Sequence, residues 1–291
     1  KAADLAGVKI VNGRVSEITE KNQKISSLIL ENGKEFFFDK IIIATGGCSY
    51  PVTGSTGDGY NLAKSLGHTV TKLRPSLVPI MTKEGFCTKL CGLSLKNVTL
   101  TLLEEGKKKP IYSEMGEMMF TDFGITGPLV LSASAYIDKS SELYKIKIDL
   151  KPALDLDALD RRILRDFSTE PNKDFINSLD ELLPKRLISV IVGLSGIDPR
   201  KKVNSITREE RRKLAELIKG LTLQVLRLRP VEEAVVTSGG IKLSEIDPKT
   251  MQSKIIEGLY FAGEVIDVDC FTGGFNLQTA FSTGYLAGIS V

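Results

Sequence analysis

The period of the apolar positions changes several times along the chain, and each change predicts a different element. Val8, Ile10 and Val11 read as a short strand over residues 8–11, with a second strand around Val15 and Ile18. Residues 24–31 and 35–39 flank Asn32-Gly33, a dipeptide that favours a type I′ hairpin turn. The run 40–45, built on three isoleucines, predicts a strand buried on both faces. It ends in Gly46-Gly47, and Asp58-Gly59 then opens a helix that runs to Leu66 and stops at Gly67. From 77 to 150 the pattern predicts mainly short strands, at 97–103, 111–113 and 144–150. One short helix over 129–136 interrupts them, with Thr126 as its cap and Pro128 in its first turn.

Leucine and isoleucine then recur at helical spacing, and residues 153–226 read as an all-helical insertion. Residues 175–183 and 185–194 make two helices on either side of Pro184, and Thr207 with Glu210 forms a capping box for a third. Residues 231–256 return to β structure, broken by Gly239-Gly240. Leu259-Tyr260-Phe261-Ala262 is a buried strand leading into Gly263-Glu264. Thr272-Gly273-Gly274 opens a last helix over 276–289, whose Ala280, Gly284, Ala287 and Gly288 suit close packing on a sheet. The layout is an α/β unit split by one long β-plus-α insertion. The expected segments are 1–76 and 257–291 for the α/β unit, 77–152 for a β-rich insertion, 153–226 for the helices and 227–256 for a β-rich return.

Composition narrows the functional classes. The 291 residues are 42% hydrophobic and 26% charged, with a net charge of +3 from 39 basic and 36 acidic side chains. That balance argues against a nucleic-acid binder, which would carry a strongly basic face. The basic runs at 107–109 and 211–213 read as a turn tip and a solvated helix face. Cys48, Cys87, Cys91 and Cys270 are too scattered for a disulfide scaffold, and Cys87 and Cys91 do not have CxxC spacing. A reduced, cytoplasmic setting is expected, with no membrane partner. The one histidine, His68, follows a helix end, where it is expected to satisfy terminal carbonyls rather than move protons. A Ser/His/Asp triad or a histidine metal site is not expected.

Two segments carry candidate chemistry. The first is Ile43-Ala44-Thr45-Gly46-Gly47 with Gly54-Ser55-Thr56-Gly57-Asp58-Gly59. Small residues at the C-terminal end of a strand let a cofactor approach the backbone, and the next helix offers free N–H groups to an anion. A tight strand-to-helix turn with Asp58 as its cap is the plain alternative. The second is Gly263-Glu264 with Thr272-Gly273-Gly274-Phe275-Asn276. Its carboxylate suits sugar or ribityl hydroxyls, and its helix start suits the charge that a reduced flavin carries at its pyrimidine edge. Here the plain alternative is two glycine turns and a surface acid.

These segments, together with Thr237-Ser238-Gly239-Gly240 and residues 120–128 (FTDFGITGP), resemble the aminoacetone oxidase and bile-acid-inducible flavoprotein family over essentially the whole chain. The resemblance implies an α/β fold: an FAD-binding, Rossmann-like domain of the two-dinucleotide-binding-motif type, interrupted by a β-barrel-like and an all-helical insertion. It implies that Val15 meets the adenine end of FAD and that Ala44, Thr45, Gly46 and Gly47 pass its diphosphate, with Thr56, Gly57 and Asp58 in the facing loop. It places Gly263 and Glu264 at the ribityl chain, and Gly273, Gly274, Phe275 and Asn276 at the isoalloxazine ring. Cys270 departs from the family pattern, which has glycine there, and a buried inert thiol is the expectation. The GxGxxG unit that grips the FAD pyrophosphate is absent. The chain opens at Lys1, in what reads as the tail of a helix over 1–6, so an upstream segment is expected, and this piece alone would hold FAD poorly.

The function expected is an FAD-dependent oxidoreductase acting on a small organic substrate, placed between the flavin and the insertion near Thr126, Ser238 and Phe275. NAD(P)H is a candidate electron donor, and catalytic residues are not identified. The alternatives are an ene-reductase of the fumarate-reductase kind, which needs a cationic clamp such as Arg74 or Arg229, a truncated flavin-fold fragment without activity, and an RNA-modifying flavoprotein, which the near-neutral net charge disfavours.

Overall fold

The computed structural model describes residues 7–291, so the helix expected over 1–6 lies outside the described residues. The chain divides into two compact units. One runs up to Pro75 and resumes at Val231–Val291; the other is Ser76–Pro230.

The first unit opens in extended chain. Val8, Ile10 and Val11 are exposed and form no strand, because no neighbouring strand pairs with them among the described residues. Strands β1 (Val15–Lys21), β2 (Lys24–Leu30) and β3 (Glu35–Phe37) then make an antiparallel sheet in sequence order. The positive-φ pair that marks a type I′ turn falls at Asn22 and Gln23, at φ 56° and 60°, where Lys21 pairs with Lys24. At Asn32-Gly33 only the glycine has positive φ. Asn32 instead accepts the Lys34 N–H on its side chain, so the expected turn type is not formed there.

Strand β4 (Ile41–Ile43) pairs in parallel with β13 (Leu259–Phe261) near the chain end, and helix α1 (Asp58–Ser65) follows the glycine loop. Ile43 is buried but Ile42 is 37% exposed, so β4 is not covered on both faces. Strand β5 (Arg74–Ser76) leads out of the unit.

The second unit is a closed six-stranded barrel, in the order β10, β11, β6, β9, β8, β7. Its strands are β6 (Ile80–Thr82), β7 (Ser94–Glu104), β8 (Tyr112–Phe120), β9 (Gly124–Thr126), β10 (Tyr144–Asp149) and β11 (Leu221–Leu228), with α2 (Phe86–Leu90) and α3 (Pro128–Ser134) between them. Gly127, not Thr126, is the N-cap of α3, and no side chain caps it. Helices α4 (Leu156–Thr169), α5 (Lys185–Ser195) and α6 (Arg208–Lys219) share one continuous apolar core with the barrel. The capping box at Thr207 and Glu210 is formed.

Two corrections concern this segment. Residues 221–226 are not helical: Leu221, Leu223 and Val225 alternate inward, and β11 pairs with both β10 and β6 to close the barrel. Residues 175–183 hold only one short 3₁₀ turn, Phe175–Asn177, and Leu183, which Pro184 disfavours from helical backbone, lies outside any helix.

The chain re-enters the first unit at Val231, so residues 231–256 are not a return of the insertion. They hold one strand, β12 (Val236–Ser238), and otherwise turns and isolated bridges. Strand β13 (Leu259–Phe261) is buried throughout, as its apolar run requires, and helix α7 (Phe275–Ser290) ends the chain. Ala287 of α7 is fully buried, whereas Gly284 and Gly288 face open space rather than a sheet.

Candidate functional site

The two glycine-rich segments meet inside the first unit. Strand β4 delivers Thr45, Gly46 and Gly47 at its C-terminal end, and β13 runs parallel to it, so Gly263 and Glu264 emerge on the same side. A Cβ on Gly47 would lie 2.5 Å from both Glu264 Oε1 and Thr237 Oγ1. Only glycine allows these three segments to approach so closely. The knot is hydrogen-bonded as well as packed. The Thr237 N–H donates to Glu264 Oε1 at 2.7 Å, and Thr237 Oγ1 accepts the Cys48 N–H at 2.8 Å and lies 3.1 Å from Ser49 Oγ. Burial pushes the Cys48 thiol up from its ordinary value, with the Glu232 and Glu264 carboxylates adding to the shift.

The loop 54–59 packs against the same strand end. A Cβ on Gly46 would meet Ser55 Oγ at 2.8 Å, and one on Gly57 would meet Cys48 Sγ at 2.9 Å. Gly57, left-handed at φ 80°, begins α1 with no side-chain cap, so Asp58 is not the cap the sequence suggests. Its carboxylate pairs instead with Arg14, at 2.8 Å to Nε and 2.6 Å to Nη2. The hydrogen bond from Arg14 holds the Asp58 carboxyl below the usual carboxylate range. Val15, Thr45, Thr56 and Asp58 line a cavity of about 540 Å³ with the isoleucines of β4. Ala44 is exposed beside it.

Gly263, Glu264 and Asn276 line a second cavity of about 330 Å³, with Val235 and Val236 along one wall. Gly273 and Gly274, at φ 116° and 90°, turn the chain into α7, whose first turn has no side-chain cap and no acidic residue. Phe275 is 60% exposed. Asn276 turns inward and spends its amide on the protein: Oδ1 accepts the Cys270 N–H and Nδ2 donates to the Cys270 carbonyl, both at 2.8 Å. Cys270 is half-buried rather than buried, with its Sγ 3.7 Å from Thr279 Oγ1. Of the residues expected near a substrate, Ser238 and Phe275 belong to this unit, and Thr126 belongs to the barrel.

Two features escape a reading by sequence. Thr237 is the hinge of the knot, and its Thr-Ser-Gly-Gly context was its only signal. His68 bonds the helix carbonyl of Ala63 with its backbone N–H, at 3.0 Å, but not with its ring. Its Nδ1 lies 3.1 Å from Glu245 Oε2 and its Nε2 lies 2.8 Å from Ser253 Oγ, in a Ser–His–Glu line whose serine and histidine are buried and whose glutamate is half-buried. Ser253 Oγ already accepts the N–H groups of Ile255 and Ile256, at 3.0 and 2.8 Å, so its hydrogen is left for His68 Nε2. Both lone pairs of that serine are thereby engaged by backbone N–H groups.

The HI0933-like protein Rossmann domain matches residues 1–290. The 3-dehydro-bile acid delta(4,6)-reductase of Clostridium scindens is 30% identical over 284 residues, covering 97% of this chain and 68% of that protein. The ribosomal RNA dihydrouridine synthase of Haemophilus influenzae is 32% identical, covering 99% of this chain and 70% of that protein. Among solved structures, GidA of Aquifex aeolicus aligns with 97% of this chain at 16% identity and a TM-score of 0.35, and the chain spans 44% of its length. The chain belongs to the HI0933-like Rossmann-domain family, within the FAD-binding superfamily.

Proposed function

We propose that this chain forms the greater part of an FAD-dependent reductase that saturates a carbon–carbon double bond conjugated to a carbonyl in a small organic substrate, with NAD(P)H as electron donor. One observation carries the reading. The two relatives that span nearly the whole chain bear names with the same chemistry in them. A delta(4,6)-reductase of a 3-dehydro bile acid works on double bonds conjugated to a ketone. A dihydrouridine synthase works on the uracil double bond beside a carbonyl.

The residues present fit FAD. Gly47 has no space for a side chain, which brings bare backbone to the end of β4, and the helix starts at Gly57 and Gly274 leave N–H groups uncapped. In this reading Val15, Thr56, Gly57 and Asp58 receive the adenosine end and Ala44 to Gly47 the diphosphate. Glu264, whose Oε1 is fixed by the Thr237 N–H, offers Oε2 to ribityl hydroxyls. Gly263 and the backbone of Gly273, Gly274 and Phe275 face the ring, and Asn276 positions that loop through Cys270. FAD supplies two-electron transfer when bound; the protein orients it and gathers compensating positive charge at its pyrimidine edge.

A second reading, oxidation of a small amine, rests on the likeness to aminoacetone oxidases. Expression of the whole gene product should give a yellow protein whose flavin is reduced by NAD(P)H and reoxidised anaerobically by a small conjugated enone such as a steroid 4-en-3-one; reoxidation by uridine-containing RNA instead would keep the reductase chemistry and move it to an RNA substrate. Flavin bleaching by aminoacetone instead, with no reoxidation by either acceptor, selects the second reading. A colourless protein that takes up no FAD rejects both.

A further inference from the structure

His68 lies where the far ends of the two glycine-rich segments come together. Helix α1 starts at the loop 54–59 and stops just before His68, whose backbone N–H ties it to the Ala63 carbonyl. Strand β13 leads to Gly263-Glu264, and its Phe261 ring packs edge-on against the imidazole, with ring centroids 4.9 Å apart. The turn that feeds β13 is held by the same ring. Ser253 Oγ lies 2.8 Å from His68 Nε2 and accepts the N–H groups of Ile255 and Ile256, while the Ser253 N–H donates to the Leu259 carbonyl at 2.7 Å. Just beyond this turn the Gly258 carbonyl accepts the Ile41 N–H at 2.8 Å, where β13 takes up its register with β4.

The line has a place for one ring proton and none for a second. With both Ser253 lone pairs engaged, the serine hydrogen points at Nε2, so the ring proton sits on Nδ1 and is donated to Glu245 Oε2. That oxygen is fixed in turn by the Thr69 N–H at 2.9 Å. A proton on Nε2 would set N–H against O–H. His68 is 4% exposed and Ser253 7%, so water cannot take the surplus donor. Ser253 can accept it only by letting go of Ile255 or Ile256. The charged group that faces the ring is Glu245, from the turn Leu243–Glu245; β13, the end of α1 and the 253–256 turn bring Phe261, Ala63 and Ser253 to it. We infer that His68 is the positioning residue beneath the cofactor site, and that a proton added to its Nε2 releases the 253–256 turn and weakens the hold of Glu264 and the loop 54–59 on FAD. This rests on the reading that places FAD at those two segments.

The test measures the FAD dissociation constant of the full-length holoprotein by equilibrium dialysis from pH 8 to pH 5, together with the exchange protection of the Ile255 and Ile256 amides. In the wild type the constant should rise as pH falls, by at most about tenfold per pH unit, the limit for one linked proton. Protection of the two amides should fall over the same range. His68→Gln, which takes up no proton, should give a flatter profile. Glu245→Gln keeps an acceptor for Nδ1 and for the Thr69 N–H but removes the carboxylate charge that favours a protonated ring. Its rise should therefore begin at lower pH, a displacement that a merely structural role would not produce. Equal slopes in wild type and His68→Gln overturn the inference, as does a Glu245→Gln profile that coincides with the wild type. Should His68→Gln fail to fold, Glu245→Gln decides alone. Amides that lose protection while FAD affinity stays constant overturn the link to the cofactor. A flavoprotein whose affinity is independent of pH keeps the FAD reading and loses only this role of His68, whereas a protein that takes up no FAD at any pH loses both.

Discussion

Gly47 lies at a contact that no larger residue could make, because both Glu264 Oε1 and Thr237 Oγ1 occupy the space of its absent side chain. Gly47→Ala must displace the Glu264 carboxylate or the Thr237 side chain from their hydrogen bonds, which should cost about 1–3 kcal/mol and lower FAD retention. Urea titration checks the first and flavin content the second; Gly284→Ala, which faces open space on α7, serves as the control. The Gly-Gly pair was legible in the sequence because a strand run ended on it. Its partner Thr237 was not, since 189 residues separate it from Cys48 and only the fold joins them. His68 makes the same point. Burial lowers its pKa from the ordinary value, although the Glu245 carboxylate acts in the opposite direction. A lowered pKa means that the unfolded chain takes up the proton first. The stability contributed by neutral His68 is therefore complete above its unfolded pKa of roughly 6.5 and is lost as pH falls from there toward the folded value. Denaturation midpoints measured from pH 8 to pH 5 should fall through that window in the wild type. His68→Gln should be less stable throughout but flatter across it; an equal slope in both would show that other groups titrate.

Among the elements, those with a long, unmixed period were readable. The apolar run of β13, the capping box of α6 and the glycine that stops α1 needed only local chemistry. Strand β11 was missed because three helices precede it and its six-residue alternation, Leu221 to Leu226, also fits the end of a helical pattern. Its partners β10 and β6 lie far away in sequence, and their pairing decides its conformation. The hairpin turns show competition at shorter range. Asn22-Gln23 takes the double positive-φ conformation although Gln favours it poorly, because Ile18 and Ile25 must both face the core. Gln23→Gly should therefore stabilise this hairpin, by about 0.5–1 kcal/mol, since glycine adopts positive φ without the Cβ penalty. The Gln23 N–H bond to Glu20 Oε2 survives that change. A thermal midpoint that falls in Gln23→Gly would mean that the side chain does more than occupy the turn.

At the scale of the molecule, two separate apolar cores correspond to the two units, one around β4, β13 and α1, the other filling the barrel and its three helices. Of the residues expected to touch FAD, every one lies in the first unit. A ligand stabilises only the cooperative unit that binds it, by about 2.7 kcal/mol at a hundredfold excess over Kd. Added FAD should then raise the unfolding temperature of the first unit and slow hydrogen exchange at Ala262, Val265 and the backbone of α1. Amides of the barrel strands β7 and β10 should exchange at unchanged rates. Calorimetry with and without FAD, paired with exchange measured by mass spectrometry, separates the two units. Protection that appears in the barrel strands instead would move the cofactor out of the glycine-rich knot, and Glu264 would then lose its proposed role in holding ribityl hydroxyls.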